Sequence, residues 1–353
     1  MGKTNITINK TTVSRLGEVD FDSIQFGREF SDHMFMADYA DGEWKNFEIL
    51  PFQDLKFNPA FNSLHYGQSV FEGMKAHAGQ DGEIVLFRPL DNFARLNRSC
   101  ARLCMPAIDP EIMLEGLSQL VNIDKEWIPK KADGSLYIRP FIFATDQYIG
   151  VAASETYKMI IFTCPVNKYY DKAVKVKVED VYSRASPGGV GFAKASGNYA
   201  ASLLPAQIAA KEGYDQLIWT DSSEHKFIEE SGTMNLMVIM DGVIITPPAG
   251  ETILGGITRD SVLQIAKDLG YKVEERALTV DEIIESHEAG ELTDMFGTGT
   301  AVTITHISGF GRKGVDYMLP PVSERTISLK LKEDLEAIKR GILDEKHNWV
   351  VKV

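Results

Sequence analysis

Short apolar runs bounded by turn residues are the feature that most constrains how this chain can fold. Runs such as Met159–Phe162 and Leu236–Met240 have the length of β-strands and fall far short of the ~20 apolar residues that span a bilayer. Between the runs lie segments whose apolar residues recur every three or four positions, which is the spacing of an amphipathic helix. This alternation, without internal repeats, predicts a mixed α/β fold.

The same periodicity assigns elements to stretches of the chain. Helices are predicted over residues 90–104, 111–128, 199–212, 258–269, 280–288 and 321–341. Strands are predicted over residues 136–143, 158–164, 174–178, 216–220, 234–240, 243–246 and 302–307. Cys100 and Cys104 fall on one face of the first helix. Because no His or further Cys lies nearby, we interpret them as two buried thiols and expect no metal site.

Length, charge and cysteine content limit the class of protein. The 353 residues suffice for two domains of ordinary size. Asp and Glu number 50 against 37 Lys and Arg, and the net charge of −13 repels nucleic acids and anionic lipid surfaces. Three cysteines are an odd number, and the N-terminus carries no apolar secretory segment, which together indicate a reducing compartment. We therefore expect a cytoplasmic protein that binds small molecules, without nucleic-acid or membrane partners.

Several glycine-rich segments invite comparison with phosphate loops. Gly309–Gly314 matches G-x-G-x-x-G, but no helix follows it, so a hairpin turn explains it better than a dinucleotide site. Ser186–Lys194 lacks the residues that flank the lysine of a P-loop, which leaves Lys194 among small and apolar neighbours. That lysine is either an exposed loop residue or an amine suited to Schiff-base chemistry. Leu254–Asp260 and Phe296–Ala301 are turns whose backbone donors either cap local structure or bind an anion.

Arg139 stands inside an apolar strand segment, close to the aromatic residue Tyr137. A buried arginine needs an anionic partner, because an unpaired charge is costly away from water. The partner is either a structural carboxylate or a substrate.

Seven motifs, in the right order, make the chain resemble the branched-chain amino acid aminotransferases, fold-type IV enzymes that use pyridoxal 5′-phosphate. The motifs are Tyr66…Phe71-Glu72-Gly73, Asn92–Leu96, Tyr137–Pro140, Gly188–Leu203, Glu230–Asn235, Leu254–Arg259 and Phe296–Ala301. The agreement extends over most of the chain, from Phe30 to Trp349. It implies a small α/β domain over residues 1–170, a linker over 171–177 and a larger, cofactor-binding pseudobarrel domain over 178–353, paired as a homodimer.

The resemblance also implies a role for individual residues at the cofactor. Lys194 would hold pyridoxal phosphate as a Schiff base and move the proton of the reaction. Glu230 would face the pyridine nitrogen, with the neighbouring Glu229 as the competing assignment, and Tyr199 would bond the phenolic oxygen. The phosphate would be bound by Arg95, Ile257, Thr258 and Thr300.

By the same resemblance, one pocket accepts both an aliphatic side chain and a γ-carboxylate. The apolar wall would be formed by Phe30, Phe71, Tyr169, Thr233 and Ala301. Arg139 with Tyr66 would take the γ-carboxylate, and Tyr137 with the Thr300–Ala301 amides would take the α-carboxylate. The implied reaction transfers the amino group of leucine, isoleucine or valine to 2-oxoglutarate, giving the branched-chain 2-oxo acid and L-glutamate.

Two departures and three alternatives accompany this interpretation. The redox Cys-x-x-Cys of some relatives falls on Val302 and Thr305, so that regulation is not expected, and Ser196 stands where relatives often have glycine. The nearest alternatives are a D-amino acid aminotransferase and an aminodeoxychorismate lyase, which share the fold. Arg139 with Tyr66 and Tyr137 favours the branched-chain interpretation. A nucleotide-binding or purely structural α/β protein is the alternative of another class.

Overall fold

The computed structural model describes residues 5–80, 82–131, 133–167, 172–344 and 346–353. The chain forms two compact units, each with its own β-sheet. Unit 1 consists of Met1–Tyr169, Ala193–Gly197 and Ile338–Val353, and unit 2 of Tyr170–Phe192 and Asn198–Ala337. Sheets and helices occur throughout, which confirms the predicted mixed α/β fold class.

Unit 1 is built on one sheet whose central strands are long and apolar. Its strands are β1 (Thr7–Ile8), β2 (His33–Ala40), β3 (Glu43–Pro51), β4 (Ser69–Phe71), β5 (Met74–Ala78), β6 (Ile84–Phe87), β7 (Ser135–Ala144), β8 (Tyr157–Val166) and β18 (Val350–Lys352). Their order is β1-β3-β2-β8-β7-β5-β6-β18, with β4 also paired to β7. Every pair is antiparallel except β1 with β3. The sequence reasoning placed no strand before residue 136, so β1 to β6 are elements it missed.

Three helices belong to unit 1: α1 (Asn62–Tyr66), α2 (Pro89–Arg102) and α3 (Pro110–Ile123). Proline opens both long helices, where its missing N–H costs nothing, and the Asp109 side chain caps α3 by accepting from Glu111 N at 2.9 Å. The apolar faces of α2 and α3 are buried with the sheet in one core. Gly116 permits the close approach, because a Cβ there would lie 2.5 Å from the Phe35 ring.

The prediction for Cys104 is wrong. Helix α2 ends two residues earlier than predicted, and Cys104 follows it in the left-handed conformation with φ 55°. The amides of Cys104 and Met105 donate to the carbonyls of Ala101 and Cys100, which is the geometry of a Schellman motif. This turn carries Cys104 off the helix face and leaves it exposed, whereas Cys100 is buried as predicted. Burial raises the pKa of the Cys100 thiol to about 12.

Unit 2 is built on a second sheet that closes on itself. Its strands are β9 (Val174–Val178), β10 (Gln216–Thr220), β11 (Ile228–Ser231), β12 (Met234–Met240), β13 (Val243–Thr246), β14 (Val273–Glu275), β15 (Leu292–Gly299), β16 (Thr303–Arg312) and β17 (Val315–Met318). They run in the order β11-β10-β9-β16-β15-β12-β13-β14, with β17 on β16. A further pairing of β11 with β12 joins six of these strands into a ring. This barrel confirms the pseudobarrel architecture implied by the family resemblance.

The remaining helices are α4 (Ser196–Ala201), α5 (Leu203–Lys211), α6 (Ile257–Asp268), α7 (Val280–Glu288) and α8 (Thr326–Lys339). The single helix predicted over 199–212 is therefore two helices, interrupted at Ser202. Helix α8 begins five residues later than predicted, because Pro320 and Pro321 precede it and a short 3₁₀ turn follows them. No helix in the described part of the chain has the length and apolar content that a membrane crossing needs.

The glycine-rich segment Gly309–Gly314 forms the predicted hairpin. Lys313 and Gly314 make the turn between β16 and β17, both with positive φ. Gly309 and Gly311 lie within β16 instead. A Cβ at Gly311 would stand 2.1 Å from the Tyr214 hydroxyl, so the strand needs glycine there for packing. Strand β17, and not a helix, follows this segment, so it is not a dinucleotide-binding fingerprint.

Candidate active site

Lys194 is held in place within unit 1 through its backbone. Its amide donates to Ser99 Oγ at 2.9 Å, and its carbonyl accepts from the Phe71 amide at 3.1 Å. The adjacent Ala195 forms a bridge with Val70 of β4. These contacts make the lysine an extension of the sheet. The exposed-loop alternative is wrong, because the side chain is half-buried and its Nζ lies 4.8 Å from the centre of the Phe71 ring.

The Phe71 ring has a second cation on it. The Arg139 guanidinium carbon lies 4.5 Å from the ring centre, a distance at which the ring quadrupole attracts a cation. Lys194 and Arg139 are thus both within 5 Å of the centre of one aromatic ring. Two positive groups on a neutral ring make this part of unit 1 a favourable place for an anion.

Arg139 has no carboxylate partner among the described residues. Its Nη2 donates to the Tyr137 hydroxyl at 3.0 Å, since the two residues share one face of β7. Its Nε is buried and has no hydrogen-bond acceptor in the part of the chain that the structure covers. Gly73 makes room for the hydroxyl, because a Cβ there would stand 2.2 Å from it. Of the two partners considered for Arg139, a structural carboxylate is therefore absent within these residues.

Two of the other residues predicted for the substrate pocket, Phe30 and Tyr66, have different surroundings. Phe30 stacks on Phe52 at 4.9 Å and packs against the cluster that contains Tyr137, so it adjoins the same region of unit 1. Tyr66 ends α1, is 39% exposed and makes no hydrogen bond with Arg139. Tyr169 lies outside the described residues, so its predicted place in the apolar wall stays a prediction.

Arg95 is engaged by a residue that the sequence reasoning did not single out. Its Nε and Nη2 donate to the two carboxylate oxygens of Glu72 at 2.7 and 2.8 Å. Glu72 is fully buried and follows β4, so this fork-to-fork pair fixes the guanidinium against the sheet. The predicted phosphate contact of Arg95 stays a prediction.

In unit 2 the carboxylate of Glu230 lies on β11 and is 4% exposed. Its Oε1 accepts from the Leu254 amide at 2.7 Å and lies 3.4 Å from Asn235 Nδ2. Its Oε2 lies 3.1 Å from Arg184 Nε, which makes a buried ion pair. The carboxylate is thus held from both sides.

The competing residue, Glu229, has a different environment. Burial raises the pKa of its carboxyl group, against the opposing effects of Thr252 and Arg184. Its Oε2 is buried and has no hydrogen-bond partner among the described residues. Neighbouring residues of a strand point to opposite faces, so the two carboxyl groups cannot serve the same ligand atom.

Helix α6 begins where the sequence predicted a glycine turn. Gly256 is its N-cap, and no described side chain caps it, so the first-turn amides at Ile257 and Thr258 meet no side-chain acceptor. A Cβ at Gly256 would lie 2.0 Å from Asn235 Oδ1, so only glycine fits against the residue that also contacts Glu230. An uncapped helix start attracts a phosphate.

The remaining predicted residues of unit 2 lie in turns or on α4. Thr233 is exposed in the β11–β12 turn, and its carbonyl lies 4.0 Å from a Cβ built on Gly299, the last residue of β15. Thr300 and Ala301 follow in the half-buried turn to β16. The two turns are therefore neighbours at one end of the barrel. Tyr199 is half-buried on α4.

Within unit 2, the buried carboxylate of Glu230 suits the pyridine nitrogen of pyridoxal phosphate, and the amides at the start of α6 suit a phosphate. Within unit 1, Lys194 has the primary amine that a Schiff base needs. Glu72 was part of a motif but had no role assigned from the sequence, and Arg184 was not recognised at all. The signal in each case was a single charged residue in an otherwise uncharged segment, at the end of β4 and before the glycine-rich segment.

Comparison with known proteins gives the family. The family model described as amino-transferase class IV matches residues 69–310. A probable branched-chain-amino-acid aminotransferase of Staphylococcus aureus is 47% identical over 333 residues, covering 93% of each chain. The structure of a branched-chain aminotransferase from Thermoproteus uzoniensis with norvaline has a TM-score of 0.75 at 26% identity, covering 90% of this chain and 99% of the other. A T.th. branched-chain amino acid aminotransferase with pyridoxamine 5′-phosphate has a TM-score of 0.71 at 26% identity, covering 89% and 97%.

The matched residues include Lys194, Glu230 and the glycine turn at Gly256. With a barrel, a buried carboxylate and an amine in agreement with it, the chain belongs to the class IV aminotransferases.

Proposed function

We propose that the protein transfers the amino group of leucine, isoleucine or valine to 2-oxoglutarate, giving the branched-chain 2-oxo acid and L-glutamate. The similarity to branched-chain aminotransferases over nearly the full chain supports this activity. The observation that carries it is Arg139, a cation without a carboxylate partner among the described residues, which lies on the ring of Phe71 and bonds Tyr137, the residue whose cluster Phe30 packs against. A pocket that accepts both leucine and glutamate needs an apolar surface for the leucine side chain and a cation for the γ-carboxylate of glutamate.

Pyridoxal 5′-phosphate is the cofactor of this family, and a matched structure carries its amino form. When bound, it supplies an electron sink that stabilises negative charge at the substrate α-carbon. Glu230 would hold a proton on its pyridine nitrogen, and the α6 start with Arg95 and Thr300 would bind its phosphate. Tyr199 would contact its phenolic oxygen.

Lys194 is the residue that moves the proton. Its Nζ would attach the cofactor at rest and, once released by the amino group of the substrate, act as the base at the α-carbon and then as an acid. Hydrogen bonds to Ser99 and Phe71 fix the backbone of Lys194, so only its side chain has to move to bring the amine to the substrate. Such positioning favours proton transfer over a short path.

Arg139 would bind the γ-carboxylate of glutamate, with the Tyr137 hydroxyl fixing the guanidinium. A leucine side chain would instead pack on Phe71 and Phe30. Tyr66, Tyr169, Thr233 and Ala301 stay in the roles that the family resemblance gives them.

The experiment is an assay of the purified protein with pyridoxal phosphate. Leucine should change the visible absorbance of the bound cofactor, and 2-oxoglutarate should restore it with release of glutamate. Turnover of D-alanine in place of leucine would contradict the proposal and favour a D-amino acid aminotransferase. A spectrum that does not change on adding pyridoxal phosphate would favour the structural or nucleotide-binding class.

We also propose a homodimer in the cytoplasm. In unit 1, Leu64, Ile149 and Val151 are exposed by 63%, 66% and 89%, and the Asn62 side chain links α1 to this loop through the Gly150 carbonyl. Such a patch favours association with a second copy. Sedimentation should give twice the chain mass of 39.3 kDa. The three free thiols fit a reducing compartment.

A further inference from the structure

Arg184 stands in the segment between β9 and α4, and its side chain is only 9% exposed. Its Nη2 donates to two carbonyls, that of Gly191 at 3.0 Å and that of Thr252 at 2.6 Å. These bonds tie together the glycine-rich segment before Lys194 and the segment before α6. They also fix the guanidinium, so its Nε cannot turn away from Glu230.

The contact to Glu230 is an ion pair rather than a hydrogen bond. The Nε of Arg184 lies 3.1 Å from Oε2 of Glu230, yet this Nε has no acceptor with hydrogen-bond geometry among the described residues. The guanidinium therefore acts on the carboxylate mainly as a charge. In a buried place a charge at this distance strongly favours the ionised form of its neighbour.

A second carboxyl group, that of Glu229, also feels the charge of Arg184. Burial raises the pKa of Glu229, although Arg184 and Thr252 oppose this shift. The ion pair at 3.1 Å is with Glu230, so Glu230 is the carboxylate that Arg184 contacts directly.

We propose that Arg184 is a positioning residue that keeps Glu230 ionised and oriented, so that a shared proton stays on the pyridine nitrogen of the cofactor and not on the carboxylate. The inference rests on the proposed role of Glu230. A carboxylate beside a fixed guanidinium is a weaker base, and hence the proton moves to the nitrogen. A protonated ring accepts electrons better than a neutral one.

The test uses protein loaded with ¹⁵N-labelled pyridoxal phosphate and the variants Arg184→Gln and Arg184→Lys. The ¹⁵N chemical shift of the ring reports directly whether its nitrogen carries a proton. In Arg184→Gln the shift should move toward the unprotonated value, and proton abstraction from leucine in a single turnover should slow about tenfold to a hundredfold. Arg184→Lys keeps the charge and should retain the protonated shift more fully.

Arg325→Gln is the matched control. Arg325 also lies in unit 2, and its ion pair with Asp294, at 2.9 Å, is likewise buried. It should lower thermal stability while leaving the ¹⁵N shift unchanged. Arg184→Gln should also add little to Glu230→Gln in a double variant, because the two residues act through one group.

Two outcomes overturn the inference. One is an unchanged ¹⁵N shift in Arg184→Gln while Glu230→Gln moves it. The other is full additivity of the two substitutions. If Glu230→Gln itself leaves the shift unchanged and Glu229→Gln moves it, the proposed role of Glu230 fails instead. If Arg184→Gln does not fold, Arg184→Lys takes its place in the test. Because lysine keeps the positive charge, complete loss of the protonated ¹⁵N shift in that variant would then overturn the inference.

Discussion

Replacing Arg139 by methionine should separate the two substrates of the enzyme. Methionine keeps much of the volume of the arginine stem but removes the charge. The guanidinium has Tyr137 as its hydrogen-bond partner and no described carboxylate, so its charge is available to a γ-carboxylate. Losing a hydrogen bond to a charged group costs about 1.5–3 kcal/mol, which corresponds to a rate loss of roughly tenfold to a hundredfold.

We expect this loss in the half-reaction with glutamate or 2-oxoglutarate. Leucine makes no use of the charge, and its half-reaction should change little. Stopped-flow spectra of the bound cofactor, in single turnovers with each substrate, measure the two rates separately. Arg139→Lys is the control, since it keeps a charge but loses the fork geometry, and it should fall between the wild type and Arg139→Met.

Equal losses with leucine and glutamate would refute this reasoning. They would mean that Arg139 supports the fold of unit 1, and a fall in thermal stability of the same variant would accompany them. The Tyr137→Phe variant gives a second check. It removes the hydroxyl that fixes the guanidinium and that, by the family resemblance, also takes the α-carboxylate. It should therefore slow both half-reactions, and the glutamate half-reaction by less than Arg139→Met does.

Three further predictions concern other groups. Lys194→Ala should abolish turnover. In the wild-type protein loaded with pyridoxal phosphate, borohydride reduction followed by peptide mapping should label Lys194 alone, and a label on another lysine would contradict the assignment. Cys104 is exposed while the other two thiols are buried, so iodoacetamide at neutral pH should alkylate Cys104 first, as mass spectrometry of the peptides will show. Burial lowers the pKa of His306 to about 4, below its unfolded value of about 6.5. The unfolded chain therefore binds a proton that the folded chain does not, and stability should fall as the pH drops from about 6.5 to 4. His306→Gln should make this fall, measured by urea unfolding, less steep.

The sequence alone was a good guide wherever a local pattern decides the structure. Alternating valines and lysines predicted β9, and continuous apolar residues predicted β12, with the bounds that the structure shows. The hairpin at Gly314 follows from glycine, whose backbone freedom is a local property. The motifs also identified the family, which the comparisons confirm.

Where long-range contacts decide, the sequence was insufficient. Periodicity continued α2 through Cys104, but the Schellman hydrogen bonds end it at Arg102 and turn Cys104 outward. The strands before residue 136 gain their stability from partners far along the chain, as in the pairing of β2 with β8. No local pattern records such a partner.

The same distinction holds for the candidate site. Lys194, Glu230 and Arg139 could be named from the sequence, because their neighbours in the chain form recognisable motifs. Their surroundings could not. Glu72 pairs with Arg95, which lies 23 residues further along the chain, and Arg184 reaches Glu230 on β11 from the segment after β9. Burial and pairing set the charge of an ionisable group, and both arise only when distant segments pack together, so the tertiary structure alone decides which of two adjacent glutamates has a fixed cation beside it.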